Sequence, residues 1–536
     1  MTLLQKRIFF LLLLMAMIVF VLFSLPNSVA SENLAMIQMF QPDEASPLPY
    51  VFHMIAPAEN LNQALRSFVF YEYYYYGFPY FGLSAAVLLP LQWLGYITNI
   101  PLVILILRQI ISVLPMLAAL MLLTYMHDGF HTYRSVVLFA FLLCVPAVVQ
   151  NNLWWHPDGI TFLFLVLTIF FLKRDNLHFG WNFLFAAATT GIAAAIKLMG
   201  VYFFLAVGLT LILGLLHKKT SWKKLIGMAT VFLLVMALAF LIANPFLLSH
   251  WARTAYGYIF HKQVFLLSEG YGVVYEKGLA AAWPLMRQSY GGAIFLLVAL
   301  GAAIWGIWRG PQRLLHGLIL AWFFPITILV LFVTHFKFQY WMPAALPLFS
   351  SLTVLLPEKW ILEKGAFKSG FVKATAKLAP VLILLLVLIQ AALFVNQDIQ
   401  IFNASLHRAD NNPRIQFYDQ TLNALSPLPV GPLYVYYDYR LYVPETTGWT
   451  TETTYDLLEY SYIQENNFDI LLLLEQRIRD YLNPDVTGID PYVFARNQQF
   501  YRDAENETIS GYHLVFRNDV GLVYVREDLY QNYFQK

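Results

Sequence analysis

What most constrains this chain is a succession of apolar runs, too long and too numerous for a water-soluble core. The clear ones lie at about 8–24, 101–125, 134–150, 158–172, 182–197, 200–216, 225–247, 291–308, 314–333, 338–356 and 378–396. A helix needs about 20 apolar residues to cross the hydrocarbon core of a bilayer. In lipid, only helices and closed barrels satisfy their own backbone groups. The composition agrees. Of 536 residues, 59% are hydrophobic and 12% charged, with a mean hydropathy of +0.58, whereas a soluble domain carries about 25% charged residues. The expected fold class is an α-helical polytopic membrane protein. A net charge of +2 gives no sign of a nucleic-acid partner. Cys144 is the single cysteine, which excludes an intramolecular disulfide and a CxxC metal site.

Clustered cations set the direction of the spans, because cytoplasmic loops are enriched in Lys and Arg. Lys6 and Arg7 precede the first run. Ser28-Val29-Ala30 resembles a signal-peptidase site, but the run is long for a signal, and an uncleaved anchor is expected. Further basic loops hold His127, His131 and Arg134; Lys173 and Arg174; His217 to Lys224; Arg309 and Arg313; and Lys359, Lys364, Lys368, Lys373 and Lys377. All are cytoplasmic if 81–96 does not cross. That short run contains Pro90 and reads as a juxtamembrane or re-entrant helix, leaving about eleven crossings with the C-terminus outside. Residues 1–397 then form the membrane domain, with 25–100 as the first outer loop. Residues 398–536 change composition sharply. Strand-like Leu433–Tyr437 and Ile470–Leu474, followed by helix-like Glu475–Tyr481, predict a small α/β extracytoplasmic domain.

Ionisable groups in a membrane segment cost roughly 2.5–3.5 kcal/mol each at the bilayer centre. Those at span ends therefore face water or a site. On the expected outer side stand Asp43 and Glu44 behind Pro42, then His156 and Asp158 in Trp154-Trp155-His156-Pro157-Asp158-Gly159. Lys197 ends one span, and His335, Lys337 and Tyr340 occupy a short turn. Plainer readings exist for each. An acid in a helix's first turn is ordinary capping, and a terminal Lys can snorkel. As a set they describe a cavity of carboxylates and cations at the membrane edge. That combination suits transfer of a sugar from a lipid phosphate. Fixed cations or a metal stabilise the anionic leaving group, and a carboxylate deprotonates the incoming hydroxyl.

The ordered motifs resemble the GT-C superfamily of polyprenyl-phosphate-sugar-dependent glycosyltransferases. They are most similar to its family-39-like group, which holds protein O-mannosyltransferases and the lipid A aminoarabinose transferase. The resembling residues are Pro42-Asp43-Glu44, His156-Pro157-Asp158-Gly159, Ile196-Lys197-Leu198-Met199-Gly200, Asn244-Pro245-Phe246 and Lys337 to Pro343. The resemblance implies Asp43 as catalytic base, with Glu44 as its supporting neighbour. It implies Asp158 holding acceptor or a divalent metal, with Asp43 and Asp158 as the metal candidates. It places Lys197 and Lys337 at the carrier phosphate, with Glu44, His156, His335 and Tyr340 among the substrate contacts. One departure stands out. Relatives carry an acidic-basic pair before the proline of the juxtamembrane helix, where this chain reads Gly77-Phe78-Pro79.

The expected partners are a polyprenyl-phosphate sugar donor, a glycan, lipid or protein acceptor, and membrane lipids. A transporter or flippase of lipid-linked saccharide is the alternative, as is a non-catalytic sugar-binding subunit. Transporters concentrate charge at the midplane and often show inverted repeats, whereas here the charges gather at one face. Sequons at Asn403 and Asn506 arise readily by chance, and Tyr533-Phe534-Gln535-Lys536 is no retention signal. The expected location is the plasma membrane of a prokaryote.

Overall fold

The computed structural model describes residues 1–269, 276–356, 371–429, 431–445, 448–455, 457–482 and 491–535. Lys359, Lys364 and Lys368 of the last basic loop fall outside them. Six described helices are long and apolar enough to cross a membrane alone: Leu3–Ser28, Ile100–Asp128, Leu198–Leu216, Trp222–Ala243, Arg313–Val333 and Leu382–Leu406. Leu279–Tyr290 and Ala293–Arg309 would add a seventh, bent by 79°. The bend falls at Gly291, whose φ of +95° suits glycine. The protein is a multi-pass membrane protein.

The other expected crossings are built from shorter pieces. The run 134–150 is divided at Cys144–Val145 into helices Arg134–Leu143 and Pro146–Asn151. Helix Phe338–Ser350 carries Pro343 and Pro347 and passes into a 3₁₀ turn. Asp158–Asp175 and Trp181–Ile196 pack against each other at the centre of the bundle. Small residues let further elements approach each of them closely. A Cβ on Gly191 would lie 2.2 Å from the Met236 carbonyl oxygen, and one on Gly159 would lie 2.7 Å from that of Ser112. Trp222–Ala243, by contrast, buries only Phe232, as a lipid-facing helix should.

Residues 29–99 make short helices at one end of the bundle. The helix Phe78–Trp93 has 16 residues and rises only about 24 Å, short of a hydrocarbon core. It packs against Leu48–Ile55, Ile100–Leu107 and Trp181–Ile196. Asp43 and Asp158 are therefore found at the same end of the bundle.

That end is pinned by one buried ion pair. Arg108 lies in a π-helical segment, Arg108–Val113, inside the span Ile100–Asp128. Its Nε and Nη2 donate to the two carboxylate oxygens of Glu44 at 2.8 and 2.5 Å, and Nη1 donates to the Asn27 carbonyl at 3.0 Å. Both side chains are fully buried. The backbone N–H of Trp155 also donates to Glu44.

The helix Phe371–Leu406 runs unbroken through the composition change at 398, so the C-terminal domain begins beyond Leu406. Its sheet comprises β1 (Leu433–Tyr437), β2 (Trp449–Glu452), β3 (Ile470–Leu474), β4 (Tyr512–Arg517) and β5 (Gly521–Arg526), ordered β2-β1-β3-β5-β4. The first three strands are parallel and the last three antiparallel. β3 is buried along its whole length, with apolar clusters on both faces, which is why it reads as a continuous apolar run. The domain docks on the Asp43 end. Tyr455 Oη is 2.6 Å from Ser46 Oγ and accepts from Gln38 at 3.0 Å, while Arg408 donates to the Val29 carbonyl at 2.5 Å.

Removing one partner of a buried pair leaves an uncompensated charge, worth about 3–5 kcal/mol. Thermal unfolding in detergent is expected to show that loss for Glu44→Gln and for Arg108→Met. The double variant should recover most of it.

Candidate active site

A cavity of about 540 Å³ lies beneath the short helices. Asp43 reaches it from the helix Pro42–Ala45, in whose first turn it sits beside Glu44. Successive residues of a helix point about 100° apart, so one faces the cavity and the other the protein. Asp43 is exposed and Glu44 fully buried. The expectation that Glu44 contacts substrate is corrected here, because its oxygens are taken by Arg108 and Trp155.

His156, Lys197, His335, Lys337 and Tyr340 line the same cavity as Asp43. Lys197 arrives there because Trp181–Ile196 ends immediately before it. Its φ of −153° and ψ of 127° turn the chain out of the helix. Its Nζ donates to Asp158 Oδ1 at 2.6 Å and lies 4.7 Å from the centre of the Tyr340 ring. Lys337 lies 5.7 Å from the same ring, and no carboxylate pairs with it among the described residues. One lysine is thus pinned and the other is available to an anion.

Asp158 does not line the cavity. Its Oδ1 meets Lys197, and its Oδ2 lies 2.6 Å from His156 Nδ1, an ion-pair contact off the line of a ring N–H bond. It is 2% exposed. This corrects the expectation that Asp158 acts directly on acceptor or metal: it is the counter-ion that holds Lys197 and His156. The two candidate metal ligands are also not joined by a third, since no three His, Cys, Asp or Glu side chains converge among the described residues. Of the two candidates, Asp158 is engaged by Lys197 and His156, and Asp43 alone lines the cavity.

The cavity wall also includes Tyr73, Tyr74, Tyr75 and Tyr76, which no sequence motif singled out. They are held by Gly77. Its N–H donates to the Ile196 carbonyl at 3.2 Å, and the Phe78 N–H donates to Asn244 Oδ1 at 2.9 Å. A Cβ on Gly77 would lie 1.7 Å from the Ala195 carbonyl oxygen. No side chain fits there, which gives a physical reason for glycine at that position. Arg108 was also missed, although a lone cation inside an apolar run signals a buried partner.

Residues 78–334 match the model of glycosyltransferase family 87. The match includes His156, Asp158 and Lys197 but begins after Asp43 and stops before His335. No curated protein matches the chain. Among solved structures, ArnT from Cupriavidus metallidurans bound to undecaprenyl phosphate superposes with a TM-score of 0.51 at 13% identity, covering 96% of this chain and 97% of that one. The chain is a membrane glycosyltransferase with the GT-C fold.

Burial, and then the fields of Lys337 and Lys277, push His335 down to about 4. The unfolded chain binds a proton near pH 6.5 that the folded chain refuses until about pH 4. Stability is therefore present above pH 6.5 and declines as pH falls towards 4. Thermal midpoints measured across that window should drop on acidification, and His335→Gln should flatten the slope.

Proposed function

We propose that this membrane glycosyltransferase moves a sugar from a polyprenyl-phosphate carrier to a hydroxyl acceptor, inverting the anomeric carbon, with Asp43 as general base. The observation that carries the reading is the placement of Asp43 and the available cation Lys337 in one cavity. The structural neighbour bound to undecaprenyl phosphate supports a carrier of that class.

In this mechanism the carrier phosphate meets Lys337 and Lys197, with Tyr340 between them. Asp43 accepts the proton of the acceptor hydroxyl. The acceptor oxygen then bonds to the anomeric carbon from the face opposite the phosphate. The carbon–oxygen bond to phosphate breaks, and its electron pair leaves with the carrier. The lysines stabilise that charge where it develops. Asp158 acts at one remove, by holding Lys197 and His156. A single displacement of this kind inverts the centre.

The site is assigned to the outer face of the plasma membrane, with the N-terminus cytoplasmic and the C-terminal domain outside. The positive-inside rule supports this orientation. Lys173 donates to the Met126 carbonyl, His127 Nε2 is 2.8 Å from Ser350 Oγ, and His316 Nδ1 is 3.0 Å from Ser351 Oγ. These contacts gather the basic loops at the end opposite Asp43.

With purified full-length protein and a polyprenyl-phosphate sugar, Asp43→Asn should lower turnover about 10²- to 10⁴-fold, the contribution typical of a general base. Carrier binding should persist. Retained transfer by this variant would remove Asp43 from the role of base.

A further inference from the structure

The segment that carries Asp43 has a joint in it. Helix Leu34–Phe40 and helix Pro42–Ala45 meet at the single residue Gln41, whose φ of −141° and ψ of 75° belong to neither helix. Pro42 disfavours the helical region for the residue before it. Asp43 stands two residues beyond that joint. A general base works only within hydrogen-bond reach of the proton it takes, so the angle at Gln41 bears on the chemistry. Glu44 pins the second helix from the buried side through Arg108. That contact does not hold the first helix.

Tyr455 of the C-terminal domain spans the joint. Its hydroxyl accepts from Gln38 Nε2, on the first helix, at 3.0 Å. The same oxygen lies 2.6 Å from Ser46 Oγ, at the end of the second. Ser46 Oγ in turn donates to the Pro42 carbonyl at 3.0 Å. One phenol oxygen thus ties together both sides of Gln41.

Tyr455 is itself mounted on a buried ion pair. Asp438 directly follows β1, and Arg477 lies in the helix Glu475–Leu482 that follows β3. Asp438 Oδ1 accepts from Arg477 Nη1 at 2.6 Å, and its Oδ2 accepts from the Leu474 N–H, at the end of β3, at 2.7 Å. Both side chains are buried. Arg477 donates to the carbonyls of Thr454 and Tyr455 at 3.4 and 3.3 Å. Its guanidinium lies 5.7 Å from the centre of the Tyr439 ring, and that ring lies 4.6 Å from the Tyr455 ring. Backbone and ring of Tyr455 are therefore both fixed to the carboxyl ends of the parallel strands, the edge at which open α/β sheets place their functional groups. Resting on the proposed role of Asp43 as base, we propose that Tyr455 is a positioning residue for Asp43, acting through Gln38 and Ser46, with the Arg477–Asp438 pair as its mount. The C-terminal domain then contributes to turnover and not to binding of the carrier.

For the test, full-length protein in nanodiscs is given undecaprenyl-phosphate glucose, mannose, galactose or arabinose, with a lipid extract of the native membrane as acceptor. Release of undecaprenyl phosphate is followed. Tyr455→Phe keeps the ring contact with Tyr439 and removes only the hydroxyl. It should lower turnover of the active lipid about 10- to 100-fold, the order of loss when a reacting group shifts by about 1 Å. Binding of undecaprenyl phosphate should be unchanged. Combined with Asp43→Asn it should cost nothing more, because residues that act as a unit are not additive. Arg477→Gln should behave likewise. Backbone hydrogen exchange over residues 34–46 should quicken in Tyr455→Phe while the sheet stays protected. An equal loss of turnover in both backgrounds would mean that Tyr455 acts elsewhere. That result, unchanged turnover or unchanged exchange would each overturn the inference while Asp43 keeps its role. Full transfer by Asp43→Asn itself would remove the base, and with it the residue that Tyr455 positions.

Discussion

The buried pair of Glu44 and Arg108 is the interaction on which this structure turns. Burying two charges is expensive, and only good geometry with further hydrogen bonds repays it. Here the geometry is bidentate, and the surplus donors and acceptors are used. Arg108 also holds the end of the first span through the Asn27 carbonyl, and Glu44 also holds the backbone at Trp155. One contact thus fixes the first span, the Asp43 turn, the π-helical segment and the loop leading to His156. Asp43 needs such a frame because a helix of four residues has no stability of its own.

The same π-helical segment reaches the site a second way. Ser112 Oγ accepts from the His156 N–H at 3.2 Å, beside the close approach of Gly159. π-bulges are frequent at functional sites, and here the bulge presents Arg108 to Glu44, next to Asp43, and Ser112 to the backbone of His156. The division of labour among charges follows. Asp43 and Lys337 face the cavity, whereas Glu44, Arg108 and Asp158 spend their charge on positioning.

Much of this was readable before any coordinates. Asp43, His156, Lys197, His335, Lys337 and Tyr340 stand at the ends of apolar runs, where charge has few places to go, and all six line one cavity. β1 and β3 announce themselves by β-branched, aromatic and leucine-rich runs. What stayed hidden depends on direction rather than position. Adjacent Asp43 and Glu44 look alike as letters, yet a 100° turn of helix separates a cavity group from a buried anchor. Asp158 looked like a second reacting acid because its two partners, His156 and Lys197, meet only in three dimensions. The tyrosines 73–76 gave no signal because nothing local shows that Gly77 presses against the Ala195 carbonyl. The long run 134–150 concealed a break at Val145 because apolarity alone does not report helix continuity.

Tyr455 bears on how the enzyme is divided into parts. Its hydroxyl meets Ser46 and Gln38, on either side of the Asp43 turn. The short acidic turn is thus clamped between a membrane span and the C-terminal domain. The boundary between the two domains in sequence is not a boundary in the packing, for the Asp43 end of the bundle is completed by a residue more than four hundred positions away. A C-terminal domain exchanged for another would have to bring its own clamp, or the Asp43 turn would hang from a single anchor.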